Sequence, residues 1–202
     1  MRPSFFVHPD IAKAETISTD IYLNDEVFTS LKEKIFAPSW QFVGNTDQVA
    51  QAGAVMPFTL LDGYLDEPLI VTRDSQDRLH CLSNVCTHRG NILVDKPCSV
   101  HQLTCRYHGR RFQLDGTFSF MPEFKEVENF PAQRDHLTSL PLFHWGKWLF
   151  TSLGTNTDHA PYLGDMINRL SWLPLQDFHF RPDLSRDYAV EANWALYCEN
   201  YL

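Results

Sequence analysis

NVCTHRGN at residues 84–91 and LTCRYHGR at residues 103–110 decide how this chain is read. Each stretch offers one thiolate and one imidazole, Cys86 with His88 and Cys105 with His108. A binuclear iron–sulfur cluster with one iron on two Cys and the other on two His needs that division. Bridging sulfides leave each tetrahedral iron two protein ligands, so each stretch gives its Cys to one iron and its His to the other. The competing reading is a zinc site. Zinc fingers run a Cys pair and then a His pair, whereas the order here is Cys-His followed by Cys-His.

Working outward, residues from Trp40 to about Gly154 are short apolar runs broken by Gly, Pro and Asp. PLIVT ending at Thr72, LHCL around His80, RRFQL before Asp115 and WGKWLF ending at Phe150 read as antiparallel strands. Residues 73–78 and the Asp115-Gly116 pair read as hairpin turns. Before this block, Asn24 or Asp25 caps a helix with Val27, Leu31 and Ile35 on one face, stopped by Pro38. After it, residues 155–161 read as a linker, 164–173 as a helix ended by Pro174, and 186–191 as a strand. The chain closes on a helical stripe at Trp194, Tyr197, Cys198 and Tyr201, capped by Asn193.

Composition bounds the rest. The 202 residues are 44% hydrophobic and 13% aromatic, ample for a packed core. A net charge of −8 gives nucleic-acid binding no support. MRPSFFVHPD at the start carries too short an apolar run for a signal-peptide core, and no stretch reaches membrane-spanning length. A cytoplasmic location follows as the expectation. Cys81, Cys98 and Cys198 are then packed thiols and not a bridge. His8, His80, His101, His136, His144, His159 and His179 are scattered, and none is assigned to metal.

CxHRG followed by CxYHG resembles the Rieske domain of the non-haem iron ring-hydroxylating oxygenases, in their large (alpha) subunit. The ending, Asn193-Trp194 followed by Glu199-Asn200-Tyr201, resembles the motif that opens the catalytic helix of the same subunits. The resemblance implies a mainly β fold: an N-terminal helical segment at 1–39, an antiparallel Rieske domain at 40–154, and at 155–202 a linker with the first elements of an α+β catalytic domain. It implies a [2Fe-2S] cluster on Cys86, His88, Cys105 and His108, with the Cys pair on the buried iron. Electrons would come from a reductase or ferredoxin and pass to a mononuclear ferrous iron, expected only in the full-length subunit, for hydroxylation of a small organic substrate by a homotrimer. No catalytic residue is expected within these 202 residues. The alternative is a stand-alone Rieske ferredoxin, against which stand the N-terminal helix and the residues after Gly154.

Respiratory Rieske proteins add a Cys to each loop and a Ser after the second His-Gly; here those positions hold Asn91, Tyr107 and Arg110. Fewer donors to the sulfurs imply the low end of the Rieske range, about −150 mV. The oxygenases commonly read Cys-Pro-Tyr-His-Gly-Trp in the second loop, and this chain departs from them with Arg106 and Arg110. Arg89, Arg106, Arg110 and Arg111 are left between two readings, a salt-bridged rim and a tuning or docking role.

Overall fold

A computed structural model describes residues 5–124, 126–155 and 158–201. They divide into two compact units, one of Ala37–Phe180 and the other of the segments up to Phe36 and from Arg181. Part of the expected linker, residues 156 and 157, lies outside the described residues, as do residues 1–4 of the opening segment.

The larger unit is built on antiparallel strands. β2 (Ala54–Leu60), β3 (Glu67–Arg73) and β4 (Leu79–Ser83) form the centre of a five-stranded sheet. Short β5 (Cys98–Ser99) and β9 (Ser139–Leu140) edge it. Leu69, Ile70, Val71 and Thr72 of β3 are all buried, which is why that run reads as uninterrupted apolar sequence. Successive side chains point to opposite faces. Ile70 joins Val55, Leu82, Cys86, Cys105 and Phe112 in one core, whereas Leu69 and Val71 pack in separate clusters with Leu60 and Leu149. The metal-ligand candidates therefore belong to the Ile70 face.

A second sheet orders β1 (Gln41–Asn45), β11 (Trp148–Thr151) and β10 (Leu142–Trp145). The run read as one strand, WGKWLF, is instead a hairpin turn with the strand after it. Gly146 and Lys147 separate Trp145 from Trp148, which pair across the turn. Gly146 sits at φ +59°, and a Cβ there would lie 2.6 Å from the Cβ of Leu175. A third, small sheet holds β6 (Leu103–Thr104), β7 (Arg111–Phe112) and β8 (Phe118–Phe120). RRFQL is strand only at Arg111–Phe112, because Gln113 and Leu114 already belong to the Asp115-Gly116 turn, closed by Gln113 N–H to Thr117 O. The 73–78 turn joins β3 to β4 as expected.

Helix α3 (Ala160–Arg169) begins earlier than the expected 164, with Pro161 in its first turn, where a missing N–H costs nothing. Its Leu163 and Ile167 pack on a cluster of Trp145, Phe150 and Leu175.

In the smaller unit, α1 (Asp20–Leu23) leads into α2 (Asp25–Leu31), and the Asn24 side chain accepts from Glu26 and Val27 N–H as the cap. Val27 and Leu31 are buried, but Ile35 is exposed. From Lys32 to Phe36 the backbone winds as a π-helix, whose wider turn carries Ile35 off the 3.6-residue stripe. Helix α4 (Trp194–Glu199) is capped by Asn193, as expected, but Tyr197, Cys198 and Tyr201 of its stripe are exposed. Within this unit Tyr22 OH donates to Glu199 and Asn193 Nδ2 donates to Tyr22 O. Residues 186–191 form no strand; they are exposed, and no ladder partner is assigned to them. No helix among the described residues is long and apolar enough to cross a membrane.

Candidate metal centre

The first loop leaves β4 and is closed at its base by a bridge between Val85 and Ile92. Asn84, buried at that base, donates through Nδ2 to Val94 O (2.8 Å) and accepts at Oδ1 from Val94 N–H (3.0 Å). The second loop joins β6 to β7. Their backbones repeat one hydrogen-bond pattern. Cys86 N–H donates to Asn91 O and Gly90 N–H to Cys86 O; Cys105 N–H donates to Arg110 O and Gly109 N–H to Cys105 O. The distances are 2.8 and 3.0 Å in both loops. Each turn needs a left-handed residue four places after its Cys, and Gly90 (φ +70°) and Gly109 (φ +73°) supply it. This backbone demand explains the Gly of both HRG and YHG.

The turns bring the four residues together as two pairs. Cys86 and Cys105 are 2% and 3% exposed, and their thiols lie within hydrogen-bonding reach of each other without a disulfide. The rings of His88 and His108 have centroids 4.9 Å apart, at the partly exposed side. Tyr107 lies over His108 at 3.8 Å between centroids. Nδ1 of His108 is buried and has no hydrogen-bond partner. Among the described residues no three His, Cys, Asp or Glu side chains are arranged to hold one ion.

Electrostatics follow from this placement. Burial, above all, pushes the Cys86 thiol up; the neighbouring Cys105 adds to this, while the His88 N–H and Arg110 oppose it. Burial likewise lowers His88, helped by His108, Arg89 and Arg110, which favours the neutral imidazole that a metal requires.

Arg110 is not on a rim. Its side chain is 3% exposed, and Nη2 donates to the Asp135 carboxylate at 2.7 Å. The guanidinium lies over Phe118, Phe130 and Phe112 at 5.0, 5.5 and 5.7 Å. An aromatic box thus receives a planar cation where the resemblance has a Trp. Asp135 O also accepts from Arg110 Nη2 (3.2 Å) and from the Thr87 hydroxyl (2.9 Å), so one residue holds both loops. Burial would push the Asp135 carboxyl up, but the Ala132 N–H and Arg110 hold it below the usual range. Arg106 does sit at the surface, paired with Asp95 at 3.1 Å, and Arg111 is exposed over Phe120. Sequence reasoning missed Asn84, Thr87 and Asp135. No local signal in the sequence pointed to Asp135, because the burial of Arg110 that demands a counter-charge is seen only in the fold.

Of the remaining thiols, one is packed as expected and two are not. Cys81 is buried and pushed up to about 11, chiefly by burial, but Cys98 and Cys198 are exposed and not packed. His80 meets Asp74 at 2.9 Å, His136 Nδ1 accepts from Phe118 N–H, and His159 stacks on Phe143.

Residues 39–131 match the family described as the Rieske [2Fe-2S] domain. The chain is 29% identical to a chloroplastic choline monooxygenase of Beta vulgaris over 90% of this chain and 41% of that one. It is 26% identical to the carnitine monooxygenase oxygenase subunit of Acinetobacter baumannii, over 98% and 52%. A solved quaternary ammonium Rieske monooxygenase with a bound inhibitor superposes with a TM-score of 0.80 at 25% identity, covering 93% of this chain and 52% of that one. The chain thus spans about half the length of the curated relatives it matches.

Proposed function

We propose that Cys86, His88, Cys105 and His108 hold the cluster of the Rieske [2Fe-2S] domain that residues 39–131 match, in a chain similar to monooxygenase oxygenase subunits. One observation carries the assignment. Two congruent turns deliver a buried Cys pair and an outer His pair, and His108 Nδ1 is left buried with no partner in the protein. A polar atom in that condition costs free energy unless something binds it. The two-and-two division suits two irons with two protein ligands each.

Bound there, the cluster supplies one-electron transfer. The protein's part is positional. Cys86 and Cys105 tie the site into the Ile70 face of the core and keep water from the sulfurs. His88 and His108 bring the site to the surface, where an electron enters or leaves, and Tyr107 braces the His108 ring.

In this reading residues 40–154 are the electron-entry domain, 1–39 an N-terminal segment, and 155–202 the approach to a catalytic domain. The longer protein would take electrons from a reductase or ferredoxin and pass them to a mononuclear ferrous iron. There oxygen would be activated to hydroxylate a small substrate, with no residue of this chain assigned to that chemistry. The names of the relatives support a quaternary ammonium substrate and monooxygenation over dioxygenation. A trimer and a cytoplasmic location belong to the same proposal. The oxygenase kinship of the relatives disfavours a stand-alone electron carrier.

The test is reconstitution of the chain with iron and sulfide. Equal amounts of iron and acid-labile sulfide and a Rieske-type electron paramagnetic resonance (EPR) signal on reduction are expected, and His108→Ala should lose that signal. A variant with an unaltered signal would reject the ligand set.

A further inference from the structure

Building on the cluster assignment above, we propose that Arg110 and Asp135 form a matched charge pair. The pair positions both ligand loops and sets how readily the cluster accepts an electron. Neither residue is a ligand, and the two lie far apart in sequence. In space Arg110 leaves the second loop and Asp135 receives it, while the same Asp135 carbonyl takes the Thr87 hydroxyl of the first loop. The two loops that must hold a fixed separation therefore share one anchor.

Stability alone is a poor reason for such a pair. Replacing a buried ion pair with well-packed apolar residues is often neutral or favourable, and the surroundings here are three Phe rings. The pair is also incompletely satisfied, since Arg110 Nε is buried without a hydrogen-bond partner. What the pair adds is field. Buried Arg110 stands two residues after His108, and the Asp135 carboxylate offsets its charge at 2.7 Å. Reduction adds one electron and one negative charge to the site and breaks no bond. A buried cation favours that change and a buried anion opposes it, with little screening by solvent. With both present, the net contribution is small. The aromatic box fixes the guanidinium, so the balance is held in place and not averaged by motion.

A charge pair and a mere structural brace predict different signs. The experiment is a redox titration with dithionite, followed by EPR, on the reconstituted wild type, Arg110→Leu, Asp135→Asn and the double variant. Arg110→Leu leaves an unbalanced anion and should disfavour reduction about tenfold, a shift of about 59 mV downward for one electron. Asp135→Asn leaves an unbalanced cation and should favour reduction by a similar factor. The double variant should return to within threefold of wild type. Arg110→Lys keeps the charge but not the two-pronged contact; its potential should stay within threefold of wild type while its cluster is lost faster. This variant and Asp135→Asn decide the matter if Arg110→Leu fails to load. Singles that move together, or not at all, or a double variant that does not cancel, would overturn the proposal with the cluster assignment intact. A wild type with no Rieske signal would overturn the assignment itself.

Discussion

Asn84→Ala should loosen the first loop without touching a proposed ligand. The Asn84 side chain closes a two-bond ring with the backbone of Val94, at 2.8 and 3.0 Å, and both residues are buried. Truncation strands one N–H and one C=O, each costing about 1–3 kcal/mol when unpaired. Water entering the space left behind would recover part of this, so a net loss of about 2–4 kcal/mol is expected. For a chain of this size that is a fall in Tm of about 4–16 °C. Asn84→Asp should not rescue it. The carboxylate still accepts from Val94 N–H but faces Val94 O with no proton to give. Thermal unfolding by circular dichroism measures the loss, and iron content after dialysis reports the loop. A Tm within 1 °C of wild type, with iron retained, would mean that the backbone contacts and the Thr87–Asp135 bond hold the loop without the Asn84 side chain.

Two further outcomes follow from groups outside the site. Burial would push the Asp74 carboxyl up, but hydrogen bonds from His80, the Arg78 and Gln76 N–H groups and the Arg78 guanidinium hold it well below the usual range. Its stabilisation is thus complete above the unfolded value of about 3.9 and is lost as pH falls below it. Asp74→Asn should be less stable than wild type at pH 6 and should show a flatter decline in acid denaturation followed from pH 6 to pH 2; parallel curves would refute this. Thiol labelling of the cluster-loaded protein at pH 8 should modify Cys98 and Cys198 quickly and spare Cys81, Cys86 and Cys105 until the chain is unfolded, as mass spectrometry of tryptic peptides would show.

Much of the candidate site was legible because its signals are local. A Cys two or three places from a His, a Gly at a left-handed position and an Asn before an apolar stripe each act within one turn of chain. Asn24 and Asn193 cap their helices, and residues 73–78 turn where the sequence says they should. What escaped depends on distant partners. Arg110 looks like a surface cation until Phe118, Phe130 and Asp135 close around it. Residues 186–191 carry strand-like residues, but a strand exists only where another pairs with it. Ile35 keeps the right spacing for a helical stripe and loses its place because the winding changes beneath it. The Trp145 and Trp148 pair was misread for the opposite reason. Aromatic residues raised strand propensity across a two-residue turn that Gly146 decides.

The two loops that carry the proposed ligands also hide a likeness that only their backbone hydrogen bonds show. Their spacing differs, one residue between Cys86 and His88 and two between Cys105 and His108, and on sequence alone they look like different turns. The hydrogen bonds make them one turn used twice, so the difference lies only in which position bears the imidazole. Counted from each Cys, Tyr107 occupies the place of His88, and Arg89 occupies the place of His108. An aromatic ring therefore stands at the second position of both turns. In the first it is the proposed ligand; in the second it is Tyr107, lying over the imidazole at the next position. Arg89 has no such duty in the first turn and is exposed to solvent. The offset lets one backbone design present an imidazole from one loop and a braced imidazole from the other. It also explains how a Tyr fits beside the centre without entering it. The site is built from a repeated backbone and specified by one displaced side chain.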